Sequence, residues 1–242
     1  MWVLAFLPLV LLGAAGAPPP PDTAELALLT DAASTQGAVF LDGSPAARYI
    51  VRGDPARWLI YQQGGGWCSS MPDCAARANS TLGSSKTYAL RSTTVMQEQA
   101  YLSNDPAANP LFHNFTRVYL PYGDGTSQLG DVFAPVVVAA GAPPIYFRGA
   151  RVLRAVIAFL RAEGLAGAKE VVVSGCSAGG LSTYAHADTW AAALPGARVV
   201  AMPDSGCAAL GSPARARAPS APSSCIHTHT RTHARAPTAA SF

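Results

Sequence analysis

The sequence has little charge, few cysteines and no long hydrophobic run. Asp, Glu, Lys and Arg make up 13% of the 242 residues, whereas 50% are hydrophobic and the mean hydropathy is +0.20. This balance excludes a largely disordered chain. No apolar stretch reaches the roughly 18 residues of a membrane span, which excludes a bundle of membrane-spanning helices. The length suits one domain with a sizeable core rather than two.

Acidic residues are absent after Asp204, so the basic excess behind the formal charge of +3 belongs to the last part of the chain. Residues 211–242 consist almost wholly of Ala, Pro, Arg, Ser, Thr and His, without a hydrophobic period. We therefore predict a disordered low-complexity tail there. A nucleic-acid surface would be expected across the folded part instead, so we predict no nucleic-acid partner.

The N-terminus has the features of a secretory signal peptide. Residues 2–12 form an apolar segment that is short for a bilayer, and small residues follow it up to Ala17. This pattern predicts a signal peptide over residues 1–17, with a retained membrane anchor as the alternative. After cleavage we expect a secreted, extracellular or cell-wall protein without stable membrane insertion. Residues 18–34, which begin with four prolines, are expected to form a linker.

Secretion makes disulfides and glycans the expected modifications, because the extracellular compartment is oxidising. The five cysteines permit at most two bridges, and Cys68 and Cys74, in one polar loop, are favoured as a pair. Cys225, in the tail, is expected to be unpaired. Asn79 and Asn114 each begin an N-glycosylation sequon and are the candidate glycan sites.

The middle of the chain alternates predicted strands and helices. Helices are predicted at 148–163 and 178–193, and a long polar excursion with one or two short helices at 68–110. Strands are predicted at 39–41, 47–52, 58–61, 117–122, 171–173 and 197–202. The order of helix and strand in the second half predicts an α/β fold, with a mostly parallel sheet and crossover helices.

The segment 175–179, Gly-Cys-Ser-Ala-Gly, lies between a predicted strand and a predicted helix and fits the nucleophile elbow of serine hydrolases. In such an elbow the serine sits on a sharp turn, and the flanking glycines relieve the crowding. The turn presents the hydroxyl above the sheet edge and aims the first helix amides at a developing oxyanion. The pattern predicts Ser177 as a nucleophile, with a structural glycine-rich turn as the alternative.

A second glycine cluster, 64–67 (Gly-Gly-Gly-Trp), directly follows the predicted strand 58–61. Glycines let a backbone approach a substrate closely and leave its amide groups exposed. The cluster is therefore a candidate for the second oxyanion donor that acyl transfer needs. A flexible glycine turn is the alternative for the cluster. For Trp67 the alternative is a lid packed on the core.

A histidine base is hard to find near the serine. His186 lies nine residues after Ser177 on the same predicted helix, roughly 13 Å along its axis, which is too far for a hydrogen bond. We expect a structural role for it. His113 precedes the serine, against the Ser–acid–His order of this class of hydrolases.

Three histidines of the tail follow both Ser177 and Asp204, as that order requires. They are His227, His229 and His233. The surrounding low-complexity sequence offers no means of holding an imidazole with the precision that catalysis needs. These histidines specify no metal geometry either, so we predict no metal and no cofactor.

Six motifs follow one another in the sequence. They are 61–68 (YQQGGGWC), 81–85 (TLGSS), 102–104 (LSN), 109–118 (NPLFHNFTRV), 122–125 (YGDG) and 174–181 (SGCSAGGL). Their order and spacing resemble the pectin acetylesterase family, which includes the Notum carboxylesterases. The resemblance covers roughly residues 35–206. It implies an α/β-hydrolase fold, for which we expect a partial domain at 35–210.

The resemblance also implies a secreted serine esterase that works without a cofactor and deacetylates a cell-wall polysaccharide such as pectin. A member similar to Notum would instead remove a fatty acyl group from a protein. Carried over position by position, Ser177 is the nucleophile, and Gly66, Trp67 and Ala178 donate the oxyanion amides. A non-catalytic secreted protein that binds glycans is the alternative from another class.

The sequence departs from the family pattern in two places. Gln62-Gln63 stands where family members usually have Leu-Glu. The segment 204–206 resembles the family's Asp-x-Gly, but the low-complexity tail soon follows it. In the family the catalytic aspartate and histidine lie far beyond this segment, and neither has a counterpart here. We therefore expect a domain incomplete on its C-terminal side, with weak or no activity and an open sheet edge that lowers stability.

Overall fold

The computed structural model describes residues 22–206 of the chain. The strands are β1 (Ala24–Leu28), β2 (Ala47–Val51), β3 (Asp54–Gln62), β4 (Arg91–Ser92), β5 (Phe115–Leu120), β6 (Glu170–Cys176) and β7 (Arg198–Asp204). The α-helices are α1 (Thr30–Gln36), α2 (Met71–Arg77), α3 (Gly149–Ala162), α4 (Ala178–Ala185) and α5 (Ala187–Ala193). Single 3₁₀ turns lie at Thr94–Gln97, Ala100–Leu102 and Leu165–Gly167.

The seven strands form one mixed sheet in the order β4-β1-β2-β5-β3-β6-β7. The four strands β5, β3, β6 and β7 run parallel, with α3 and then α4 and α5 in the connections that follow β5 and β6. The predicted α/β fold with crossover helices is confirmed, and β1, β2 and β4 add antiparallel pairs. Because the parallel strands end at one edge, the residues that follow them can meet there.

Side chains alternate along β3 and supply a separate core on each face of the sheet. Trp58 and Ile60 belong to the core that includes α3 and α5, whereas Leu59 and Tyr61 belong to the core on the other face. All four are almost completely buried. The strand order places the end of β3, and the glycine cluster after it, between the ends of β5 and β6.

Helix α3 confirms the helix predicted at 148–163. Its buried residues Val152, Leu153, Val156 and Leu160 recur at the spacing of one helix face. Each such side chain contributes about 1.5–3 kcal/mol when fully buried. Gly164 follows the helix with φ +118°, a conformation that favours glycine.

The linker predicted at 18–34 is wrong over its described part. Residues 24–28 form β1, which pairs antiparallel with β2 and β4, and residues 30–36 form α1. The strand sequence Ala-Glu-Leu-Ala-Leu has no β-branched or aromatic residue. Pairing with its neighbours therefore determines this strand, against weak local propensity.

Two further predictions needed adjustment. The helix predicted at 178–193 is two helices, α4 and α5, that meet at His186. The strand predicted at 39–41 is reduced to a bridge between Val39 and Pro45, on either side of the turn at Asp42. That carboxylate accepts the backbone N–H of Ser44 at 2.9 Å and fixes the turn.

Several predictions fall outside residues 22–206. They are the signal peptide at 1–17, the tail at 211–242, Cys225 and the histidines His227, His229 and His233. Among the described residues, no helix combines the length and the apolar character needed to cross a bilayer. Strand β7 lies at the sheet edge, and within the described range it pairs with β6 alone.

Candidate active site

Ser177 lies on the turn between β6 and α4, with φ +56° and ψ −118°. A non-glycine residue adopts this combination only where its surroundings enforce it. Its backbone N–H donates to the carbonyl oxygen of Asp204, at the end of β7, over 3.0 Å. Its side chain is exposed, and within residues 22–206 its hydroxyl has no hydrogen-bond partner. The strand–turn–helix geometry that the motif predicts is therefore present.

The glycines around Ser177 are required by close backbone contacts. A Cβ atom at Gly179 would lie 2.0 Å from the carbonyl oxygen of Gln62, and one at Gly180 would lie 2.4 Å from that of Asp204. A Cβ atom at Gly175 would lie 2.5 Å from the carbonyl oxygen of Gly179. Only glycine lets α4 pack this closely on the ends of β3 and β7.

The two glycine clusters, more than a hundred residues apart in sequence, meet at the turn. A Cβ atom at Gly64 would lie 2.3 Å from the carbonyl oxygen of Cys176 and 3.2 Å from Cβ of Ser177. Gly65 and Gly66 continue with φ +142° and +68°. On the other side, Ala178 begins α4, and the first amides of a helix have no partner within it.

The glycine-rich loop, residues 63–68, is fastened at both ends. At its start, Oε1 of Gln63 accepts the backbone N–H of Tyr122 at 2.9 Å. At its end, the indole N–H of Trp67 donates to the hydroxyl of Ser127 at 2.7 Å, and Cys68 forms a disulfide with Cys74 in α2. The structure thus contains the disulfide that the sequence favours. Trp67 is 53% exposed, so it is not a lid packed on the core.

The partner of Trp67 belongs to a strained segment, the 122–128 loop. Ser127 and Gln128 have φ +54° and +60°, although neither is glycine and both are buried. The buried carboxylate of Asp124 accepts the backbone N–H groups of Thr126 and Gln128, each at 3.0 Å, and the N–H of Ser127 donates to the hydroxyl of Tyr122 at 3.1 Å. Burial raises the pKa of Asp124, against the lowering effect of these hydrogen bonds. Sequence reasoning missed this role, for which the motif 122–125 was the only signal.

Neither described histidine forms a hydrogen bond with Ser177. Nε2 of His186 donates to the carbonyl oxygen of Gln128 over 3.1 Å, which ties the junction of α4 and α5 to the 122–128 loop. Burial lowers the pKa of His186, against the raising effect of its hydrogen bond to Gln128, and so favours the neutral ring. Nδ1 of His113 lies 3.2 Å from the carbonyl oxygen of Asn109. The residues 22–206 therefore bring no imidazole into hydrogen-bond contact with the serine.

Comparison with known proteins identifies the family of the chain that forms this turn and loop. The sequence model of the family described as Pectinacetylesterase matches residues 20–214. The chain belongs to the pectinacetylesterase family.

Named relatives agree with that assignment. Pectin acetylesterase 11 of Arabidopsis thaliana is 36% identical over 180 residues, which cover 73% of this chain and 44% of the relative. Pectin acetylesterase 7 of the same plant is 37% identical over 166 residues, covering 67% and 40%. Palmitoleoyl-protein carboxylesterase NOTUM of Homo sapiens is 30% identical over 173 residues, covering 68% and 33%. The chain thus spans less than half the length of these relatives.

Gln62 belongs to the pair Gln62-Gln63, which departs from the usual pectin acetylesterase pattern. Its side chain is completely buried beneath α4. Its Nε2 donates to the hydroxyl of Thr183 at 3.0 Å, and its Oε1 accepts the hydroxyl of Ser182 at 2.8 Å. The Ser182 hydroxyl also lies 2.7 Å from Oε1 of Gln128. The buried polar side chain of Gln62 therefore has hydrogen-bond partners. This network links β3, α4 and the 122–128 loop.

The thiol directly before Ser177 is not an activated nucleophile. Burial raises the pKa of Cys176, and the nearby carboxylates of Asp204 and Glu98 raise it further. A protonated thiol is a poor nucleophile. At this turn the exposed hydroxyl of Ser177 is therefore the better candidate for attack.

Proposed function

We propose that this pectinacetylesterase family member is a secreted serine esterase with Ser177 as its nucleophile, acting on acetyl groups of a cell-wall polysaccharide. One observation carries the proposal, namely the exposed hydroxyl on a strained turn in contact with Gly64. The turn and the loop were predicted separately from the sequence, and an ester hydrolase needs both together. The relatives named pectin acetylesterase, at 36% and 37% identity, support the substrate class.

In the proposed reaction, the hydroxyl oxygen of Ser177 attacks the carbonyl carbon of the ester. The carbonyl oxygen becomes an oxyanion and accepts hydrogen bonds from the amides of Gly66, Trp67 and Ala178. The polysaccharide leaves as an alcohol that takes up the serine proton, and an acetyl-serine forms. Water then attacks this ester, which releases acetate and restores the hydroxyl. Each oxyanion donor lowers the barrier by about 2.7–4 kcal/mol in other serine hydrolases.

We expect slow turnover, because residues 22–206 bring no imidazole to Ser177. In other serine hydrolases, oxyanion stabilisation and substrate binding without the triad still give about 10³–10⁴-fold acceleration over water. Attack by Ser177 without a base should add to that level, so the activity predicted for this chain lies just above it and Ser177→Ala should fall back to it. A general base in the tail, such as His227, His229 or His233, would raise the rate well above it.

A fatty acyl ester on a protein is the second candidate substrate. Its support is the 30% identity with palmitoleoyl-protein carboxylesterase NOTUM. The higher identity with the two plant proteins favours the acetyl ester. A non-catalytic glycan-binding protein is the alternative from another class, and it predicts binding without turnover.

The test compares the purified secreted chain with Ser177→Ala, using p-nitrophenyl acetate, p-nitrophenyl octanoate and acetylated pectin. Ser34→Ala, an exposed serine of α1, is the matched control. We expect slow hydrolysis of both acetyl substrates, which Ser177→Ala lowers to the residual level and Ser34→Ala leaves unchanged. A preference for octanoate would favour the fatty acyl ester. Equal rates for the chain and Ser177→Ala would refute the esterase, and pectin binding without hydrolysis would support the non-catalytic alternative.

A further inference from the structure

We propose that Arg77 is a positioning residue of the oxyanion site, whose guanidinium polarises the Gly65–Gly66 peptide group and so strengthens the Gly66 N–H as a donor. The role in catalysis rests on the proposed function. No sequence motif singled out this residue, and it lies in the last turn of α2, behind the glycine-rich loop.

The guanidinium of Arg77 is held on several sides. Its Nη1 donates to the carbonyl oxygen of Gly65 at 2.9 Å, and its Nε donates to that of Leu82 at 3.1 Å. Its central carbon lies 4.8 Å from the ring centroid of Tyr122, the stacking distance of a cation–π contact. These contacts leave the guanidinium little freedom, so its charge has a fixed place relative to the loop.

The hydrogen bond from Arg77 falls on one of the three peptide groups that would donate to the oxyanion. The carbonyl of Gly65 and the N–H of Gly66 belong to the same conjugated amide, so they share their electrons. A cationic donor on the carbonyl oxygen draws electron density toward it and leaves the N–H more positive. Gly66 would thereby meet a developing oxyanion with a stronger hydrogen bond than an ordinary amide gives.

The charge of Arg77 is not neutralised by any carboxylate of the described residues. Within residues 22–206 it forms no ion pair, whereas Arg48, Arg117 and Arg151 each pair with an acid. Its Nη2 atom is buried and has no hydrogen-bond partner in the described range. Burying an unpaired donor of a charged group costs free energy, which calls for an explanation. A negative charge that forms nearby during the reaction would supply one.

A purely structural role explains these contacts less well. The glycine-rich loop is already fastened at Gln63, Trp67 and the Cys68–Cys74 disulfide, on either side of Gly65. Arg77 adds a contact at the middle of the loop, on a carbonyl group whose amide partner is a proposed oxyanion donor. Removing it should therefore change the donor more than the fold.

The experiment uses the full secreted chain with Arg77→Met, which keeps the apolar stem, and Arg77→Lys, which keeps the charge. Arg161→Met is the control, because Arg161 is exposed on α3 and has no side-chain partner within residues 22–206. Two readouts are recorded on each protein. One is the ¹⁵N–¹H resonance of Gly66 after glycine labelling, and the other is kcat and KM for p-nitrophenyl acetate, with Ser177→Ala as background. Melting temperature and disulfide content show whether each variant is folded.

We expect Arg77→Met to shift the Gly66 resonance and to lower kcat about 10-fold while KM changes less than about twofold, because the interaction grows only in the transition state. Arg77→Lys should recover part of that loss, and Arg161→Met should change neither readout. If Arg77→Met is folded and its Gly66 resonance does not move, Arg77 does not polarise the peptide group. If Arg77→Met raises KM at constant kcat, Arg77 has no positioning role in the reaction.

The two proposals fail in different ways. If the parent chain shows no Ser177-dependent turnover, the proposed function fails, and the Gly66 resonance alone then decides whether Arg77 polarises the peptide. If Arg77→Met does not fold, Arg77→Lys decides, because a flexible ammonium cannot reproduce the planar geometry and should still shift the resonance.

Discussion

At the scale of single residues, Ser177 combines an exposed hydroxyl with a backbone conformation that costs free energy. Such strain amounts to about 1–3 kcal/mol per residue and persists only where neighbouring structure enforces it. Here the enforcing contacts are the hydrogen bond to Asp204 and the close packing of Gly179 and Gly180. The strained backbone lowers stability but exposes the Ser177 hydroxyl at the turn, as a nucleophile requires.

Relief of this strain is the first prediction. Ser177→Gly should unfold with a free energy about 1 kcal/mol higher than Ser177→Ala, because glycine tolerates φ +56° and alanine does not. Urea unfolding of the two variants measures the difference, and neither variant should hydrolyse esters above the level left without the triad. If the alanine variant were as stable as the glycine variant, the turn would not be strained.

His186 gives a prediction about pH. Burial lowers its pKa below the usual 6.5, so on acidification the unfolded chain takes up the proton first. The stability that depends on the neutral ring is complete above pH 6.5 and is lost as the pH falls through the folded pKa. His186→Gln should therefore lose less unfolding free energy than the parent chain between about pH 7 and pH 5. Parallel stability curves for the two proteins would contradict the assignment.

At the scale of elements, the packing of α4 on β3 decides whether the site forms. Gly179→Ala would place a methyl group 2.0 Å from the backbone oxygen of Gln62, which cannot move as a side chain can. We expect a loss of about 1–3 kcal/mol in unfolding free energy and the loss of esterase activity. Gly196→Ala is the matched control, because nothing lies within 4 Å of its added Cβ. Equal stability of the two variants would show that α4 is not held as described.

The elements differ in how far the sequence determines them. Strand β3 and helix α3 could be predicted, because their buried residues are apolar and recur at the spacing of a strand or of one helix face. Strand β1 has no such pattern and is formed by its neighbours. The break between α4 and α5 was missed because nothing in the local sequence forbids one continuous helix there.

The site shows the same division. Both glycine clusters were found because tight turns and close backbone contacts demand glycine whatever the rest of the fold. The roles of Asp124, Gln128 and Arg77 were not found. Gln128 and Arg77 act through contacts with other segments, namely α4 and the glycine-rich loop. Asp124 bonds only residues two and four positions away, but its burial is set by the fold around it. A buried carboxylate or an unpaired guanidinium becomes visible only when its surroundings are known.

At the scale of the whole molecule, the chain spans 44% and 40% of two plant relatives. Within residues 22–206 it presents β7 as an edge strand with six partly buried residues. The expectation of low stability stays a prediction. The parallel half of the sheet nevertheless brings the serine turn, the glycine-rich loop and α2 into contact, so the proposed oxyanion site is built within the described residues.

Glycosylation of Asn79 and Asn114 tests the prediction that the protein is secreted. Asn79 and Asn114 are both exposed, so an enzyme of the secretory pathway can reach them. Expression in a eukaryotic cell should release a protein that begins at Pro18 and loses mass on deglycosylation. Asn79→Gln and Asn114→Gln should each remove one glycan, as intact-mass measurement would show. Retention in the cell without glycans would argue against the signal peptide.

The most direct test of the central claim is mass spectrometry of the chain after brief mixing with p-nitrophenyl acetate and acid quenching. p-Nitrophenolate is a good leaving group, so acylation should be faster than deacylation without a base, and an acyl-enzyme should accumulate. We predict one acetyl group on the peptide that contains Ser177, absent from Ser177→Ala and present in Ser34→Ala. An unmodified Ser177 peptide, or an acetyl group found only on another residue, would contradict the account.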